Sequence, residues 1–171
     1  MLDCNYFSVT MMAVQMEWSE VINNPVLQNL PFKIELNKFG KILMSPASNI
    51  HGRNQMKIGN NLANNLPNGE VISGCSIQTS EGVKVADVAW ASNDFIKAYG
   101  YKTPYPKAPE ICVEIVSPSN SKTEIAEKIE LYLAKGAIEV WIIYDDGKIE
   151  TYIHAGQIDQ SSLAASAQNI K

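Results

Sequence analysis

Arginine is almost missing from this 171-residue chain: Arg53 is the only one. Bidentate arginine contacts to guanine are therefore scarcely available, and direct sequence reading in a DNA groove would be weak. Basic charge is also short, with a formal net charge of −4 and a pI near 5.2, which weighs against a broad basic face for gripping nucleic acid. A nuclease is not excluded, because a bound divalent ion brings its own positive charge to a phosphate. Cysteine is sparse. Cys4, Cys75 and Cys112 lie far apart with no Cys-x-x-Cys spacing, which argues against a zinc site or a disulfide framework and for reduced thiols. No apolar run reaches the length of a membrane span. The stretch 9–14 is apolar but no basic residue precedes it, so a secretory signal fits poorly and a cytoplasmic, non-membrane protein is expected. Met11, Met12 and Met16 are alternative start positions.

What remains is an ordinary globular composition, 46% hydrophobic and 19% charged, sufficient for one domain with a real core. The pattern predicts a short helix over 18–24, with Ser19 as its cap and Pro25 as its stop. A hairpin follows, from an alternating strand at 32–36 through the turn 37–40 to a return strand at 41–44. Ser48 or Asn49 opens a helix to about Leu66, with Ile58, Leu62 and Leu66 as its apolar stripe and His51 on roughly the same side. Short strands are expected at 70–73 and 76–79, and a longer one at 83–91. Residues 93–109, with three prolines, read as a long connection that opens with a helical turn.

A strand at 110–116 comes next, then an S-x-x-E capping box at Ser121 and Glu124 that starts a helix ending at Gly136. The continuous apolar run 140–144 is a buried strand, and 148–153 returns as an edge strand. The Ser, Ala and Gln-rich segment from Ala155 reads as frayed. The organisation expected is an extension at 1–17, one α/β domain at 18–154 built around a mixed sheet, and a tail at 155–171. The apolar strands and the proline-rich connection also suit a homodimer interface.

Two carboxylates stand alone inside apolar strands: Asp87 in Val-Ala-Asp-Val-Ala-Trp and Glu114 in Ile-Cys-Val-Glu-Ile-Val. An ionised carboxylate among Val and Ile loses its hydration shell at a cost of several kcal/mol unless a cation or hydrogen-bond donors replace the water. Asp87 shares a strand face with Val85 and Ala89, and Glu114 shares one with Cys112 and Val116. If the strands are neighbours, the two acids converge and offer hard oxygen ligands to Mg2+ or Mn2+. Lys128 lies on the flank of the stripe formed by Ile125, Ile129, Tyr132 and Leu133, about 90° from its centre at about 100° per residue. It can bury its stem while its ammonium reaches the sheet end, gaining roughly 4 kcal/mol per close carboxylate at an intermediate dielectric.

Taken singly, each acid is more often an edge residue or one half of a packing ion pair, and a lone lysine is more often a solvated flank. The three together point to a cation site that supports hydrolysis. Glu35 and His51 are weaker candidates: the first equally suits a solvent-facing hairpin position, the second a surface cap. His154 reads as exposed. Ser117 and Ser119 have turn and cap roles and no nearby His/Asp partner, which disfavours a serine hydrolase.

At these residues the chain resembles a known family. Ala108-Pro109-Glu110, Glu114 to Asn120, Lys128, Tyr132, Gly136 and Val140-Trp141, with Ile34-Glu35-Leu36, Gly40 to Pro46 and His51, are similar to the Uma-two family of bacterial endonucleases. The resemblance spans about residues 18–154. It implies a restriction-endonuclease-like PD-(D/E)XK core, a central mixed sheet flanked by helices. It implies Asp87 and Glu114 as catalytic and metal-binding acids and Glu35 as a recurrent family glutamate. Two positions depart from the motif: Ala86 replaces the proline before Asp87, and Val116 stands where the motif has lysine. The resemblance suggests that the lysine has moved to the next helix, at Lys128. The function expected is a Mg2+- or Mn2+-dependent endonuclease acting on DNA; the rival is a non-catalytic binding or assembly module that keeps the fold.

Overall fold

A computed structural model describes residues 16–46, 48–117 and 120–169. Cys4, Met11, Met12 and the stretch 9–14 fall outside these residues, as do Pro118 and Ser119. The elements in chain order are α1 (Trp18–Asn23), β1 (Phe32–Leu36), β2 (Ile42–Pro46), α2 (Asn49–Asn65), β3 (Gly69–Thr79), β4 (Gly82–Ser92), α3 (Asn93–Tyr99), β5 (Ile111–Ile115), α4 (Lys122–Ala134), β6 (Glu139–Ile143), β7 (Ile149–Ile153), β8 (Gly156–Ile158) and a closing 3-10 turn (Ala165–Gln168). Strands β3 to β8 form one mixed sheet in sequence order, and β1–β2 is a separate two-stranded hairpin. All neighbours are antiparallel except β5 and β6, which run parallel because α4 carries the chain back between them.

Two layers of apolar side chains sandwich the sheet. On one face, Ile129, Tyr132 and Leu133 of α4 pack with Ala89, Cys112, Val140 and Ile142. On the other, Ile58 and Leu62 of α2, both fully buried, pack with Val88, Val113, Trp141 and Ile143. The period-2 alternation of β5, β6 and the Val88–Ala91 part of β4 divides these segments between the two layers, which is why they are buried throughout. A third cluster of Trp18, Val21, Leu36, Val83 and Val85 fastens α1 and the hairpin to the start of β4. The approach there is so close that a Cβ at Gly82, where φ is 94°, would overlap the carbonyl oxygen of Leu36.

Four local expectations change. The cap of α1 is Glu17, in a capping box with Glu20, rather than Ser19. The two short strands expected at 70–73 and 76–79 are one strand. Gly74 interrupts the pattern at φ 64°, but the pairing keeps its register across it, from Ser73 opposite Val88 to Cys75 opposite Ala86. The return strand β7 is not the edge, because β8 pairs with its far side.

The segment from Ala155 is not frayed either. Its Ala164 and Ala167 are buried in the α2 layer. It is tied down by Glu139, which is fully buried and accepts from Trp141 Nε1 at 2.8 Å, Ser161 Oγ at 2.6 Å, Ser162 N at 2.8 Å and Ser162 Oγ at 2.7 Å. Serine-rich composition reads as loop, but here the hydroxyls are partners of a buried carboxylate. Replacing Glu139 with leucine is expected to cost about 3 kcal/mol in denaturant unfolding and to speed amide exchange over 161–168, because several donors lose their acceptor at once. Exchange unchanged in that segment would contradict the anchoring role.

Candidate active site

The antiparallel register Val88 opposite Val113, continued by one pair, sets Asp87 across from Glu114. Both are buried, at 4% and 7% exposure. Each acid has one oxygen held by the fold. Ile115 N–H donates to Asp87 Oδ2 at 2.8 Å, and the Tyr132 hydroxyl donates to Glu114 Oε1 at 2.6 Å. The two remaining oxygens, Asp87 Oδ1 and Glu114 Oε2, converge on a single point. An ammonium sits there: Lys33 Nζ lies 2.8 Å from Asp87 Oδ1 and 2.9 Å from Glu114 Oε2.

Lys128 reaches the same cluster from α4, 3.2 Å from Glu114 Oε2 and 2.9 Å from Glu35 Oε1. Lys128 and Tyr132 are four residues apart, so one helix face delivers both to Glu114. Glu35 comes from β1, where it alternates with Ile34 onto the same face as Lys33. Its Oε1 also accepts from Val85 N–H at 2.8 Å. His51, in the first turn of α2, places Nε2 3.4 Å from Asp87 Oδ1. Gln55, one turn further along, donates to the Asp87 carbonyl at 2.8 Å. The structure therefore brings together Asp87, Glu114, Lys128, Glu35 and His51, all five of the sequence candidates. His154 is exposed, as expected.

Lys33 was not among those candidates. The available signal was its alternation with Phe32, Ile34 and Leu36, which puts Lys33 and Glu35 on one face of the strand. A lysine in an exposed-looking hairpin carries no mark of what it meets across the fold.

Three carboxylates and two ammonium groups share this pocket, leaving one negative charge in excess. Burial pushes the Asp87 carboxyl up, but hydrogen bonds from His51, Lys33 and Ile115 and the Lys33 charge hold it below the usual carboxylate range. Burial acts the same way on Glu35, and Lys128, Lys33 and the Val85 N–H pull it down. For Lys33, burial disfavours the charge, but Glu114, Asp87 and Glu35 together keep it above the ordinary lysine value. Burial and the Glu114 charge push the Tyr132 hydroxyl well up, so it stays a donor. The cavity over the acids is small, about 50 Å³. A wider groove of about 510 Å³ runs beside it between β2 and α4, lined by Glu35, Leu43, Met44, Lys84, Glu127 and Lys128.

A family profile described as "Uma2: Putative restriction endonuclease" matches residues 20–164. The chain belongs to this family. No curated protein matches. Among solved structures, the Uma2 chain is similar to a putative nuclease belonging to DUF820 from Anabaena variabilis, at 18% identity and a TM-score of 0.64 over 80% of this chain and 88% of that one. At that identity the likeness speaks to the fold, and it agrees with the central mixed sheet flanked by helices expected of a restriction-endonuclease-like core. Among the described residues no helix is long and apolar enough to cross a membrane.

The pKa directions set the pH response. Asp87 and Glu35 have depressed folded values, so their contribution is present above their unfolded values of about 4 and is lost as pH falls through the folded ones. Lys33 has a raised value, so its contribution is present below about 10.4 and is lost as pH rises past it. Unfolding free energy is therefore expected to fall steeply below about pH 4. The acid limb should flatten in an Asp87→Asn, Glu35→Gln double variant. Acid limbs of equal slope in denaturant titrations would contradict these assignments.

Proposed function

We propose that the protein is a divalent-metal-dependent phosphodiesterase that cuts DNA, with Asp87 and Glu114 as metal ligands. One observation carries this reading: with the other oxygen of each acid held by the fold, Asp87 Oδ1 and Glu114 Oε2 aim at one cation position, which the Lys33 ammonium fills. The donor chemistry fits Mg2+ or Mn2+, whose sites often use only one or two carboxylates and complete the shell with water and substrate phosphate. Among the described residues no group of three or more His, Cys, Asp or Glu side chains is placed to hold a metal ion. The ion, when bound, supplies Lewis acidity and lowers the pKa of its water.

The protein's own groups do the rest. The Ile115 N–H and the Tyr132 hydroxyl orient the two acids. Lys128 directs an ammonium to the pocket edge, where it orients the attacking water and offsets charge developing on the phosphate. Glu35 fixes the position of Lys128, and His51 lines the entrance beside Asp87. With a single arginine and net negative charge, affinity for DNA rests on the metal and a few lysines, so cleavage of low sequence selectivity is expected.

The second reading, a binding module retaining the nuclease fold, is favoured by the same ion pairs, which neutralise the acids without a metal. It predicts no carboxylate-dependent Mn2+ binding. Purified protein with Mg2+ or Mn2+ is expected to nick supercoiled plasmid. Asp87→Asn should abolish nicking, and Lys128→Met should slow it by about 10²–10³-fold. Undiminished nicking by Asp87→Asn would reject the assignment.

A further inference from the structure

We propose that Lys33 is a built-in counter-ion that competes with the divalent metal for Asp87 and Glu114, so that metal enters only by exchange for its ammonium. The inference rests on the metal reading of the same site. Lys33 Nζ does not flank the converging oxygens but lies between them, within hydrogen-bond distance of both. A divalent ion bound to the same two oxygens would stand within about 3 Å of that ammonium, where two cations repel strongly. Lys128 differs in geometry. It touches Glu114 Oε2 and Glu35 Oε1 rather than bridging Glu114 to Asp87.

The fold gives Lys33 somewhere to go. It stands on the two-stranded hairpin rather than on the main sheet, its side chain is 18% exposed, and Glu35 Oε1 already lies 4.0 Å from Nζ. A rotation of its long stem would bring it to Glu35 or to solvent without moving β4 or β5. Lys33 also explains how two desolvated acids remain side by side. The cation it supplies is withdrawn when a stronger one arrives, which sets a threshold of free metal for loading the site.

Calorimetric Mn2+ titration of the whole chain tests this with three proteins: wild type, Lys33→Met and Lys128→Met. Each variant removes one positive charge from the pocket, but only Lys33 occupies the position between the two acids, so Lys128→Met measures the gain from losing a neighbouring charge alone. Lys33→Met is expected to bind Mn2+ about tenfold more tightly than wild type, and more tightly than Lys128→Met, because the competitor's occupancy no longer reduces the competent fraction. Equal gains in the two variants, or no gain for Lys33→Met, would overturn the counter-ion role while leaving the metal reading intact. Absence of binding in all three would bring down the metal reading and the counter-ion role together. Should Lys33→Met not fold, the wild type itself provides the readout. The lysine ammonium resonance assigned by comparison with Lys33→Arg is expected to shift on Mg2+ saturation, and an unmoved signal would overturn the exchange.

Discussion

Two carboxylates placed opposite each other on adjacent buried strands cannot stay ionised without positive charge between them. That constraint organises the chemically distinctive half of the molecule. Asp87 and Glu114 are nearly out of water, and each draws one oxygen's worth of compensation from the fold, through a backbone N–H or a tyrosine hydroxyl. The other oxygens need a cation. In the structure it comes from Lys33 on the hairpin, with Lys128 on α4 as a second donor shared with Glu35. Strands β1, β4 and β5 and helix α4 are thereby tied to one point, and the remaining charge is negative.

The rest of the fold makes that point possible. The β4–β5 register sets the acids face to face, α4 supplies Lys128 and Tyr132 from one helix face, and α2 brings His51 and Gln55 to the other side of Asp87. Gly82 lets the hairpin approach β4 closely enough for Lys33 and Glu35 to reach in. The apolar layers pack these elements together, so the polar groups are presented from strands and helices rather than from loops.

Much of this was legible in the sequence because it rests on short-range patterns. Lone acids inside β-branched runs, a capping box that fixes where α4 begins, and the stripe that leaves Lys128 on its flank are all local signals. Asp87, Glu114 and Lys128 could be grouped on them. Features that depend on what a residue meets across the fold were hidden. Lys33 looks like any solvated hairpin lysine until the hairpin docks. Ser161 and Ser162 look like loop residues until Glu139 is seen buried beneath them. Gly74 looks like a strand break, and only the partner strand shows that pairing continues past it.

The chain belongs to the Uma2 family and shares its fold with a putative nuclease, and the divalent-metal centre proposed above is in keeping with the excess negative charge of the pocket. The most direct measurement is a crystal grown or soaked with Mn2+ and recorded at the manganese absorption edge. An anomalous peak is expected between Asp87 Oδ1 and Glu114 Oε2, with the Lys33 side chain turned away from it. A Mn2+-saturated crystal with no peak at that position, and the Lys33 ammonium still lodged between the two acids, would contradict a metal centre there.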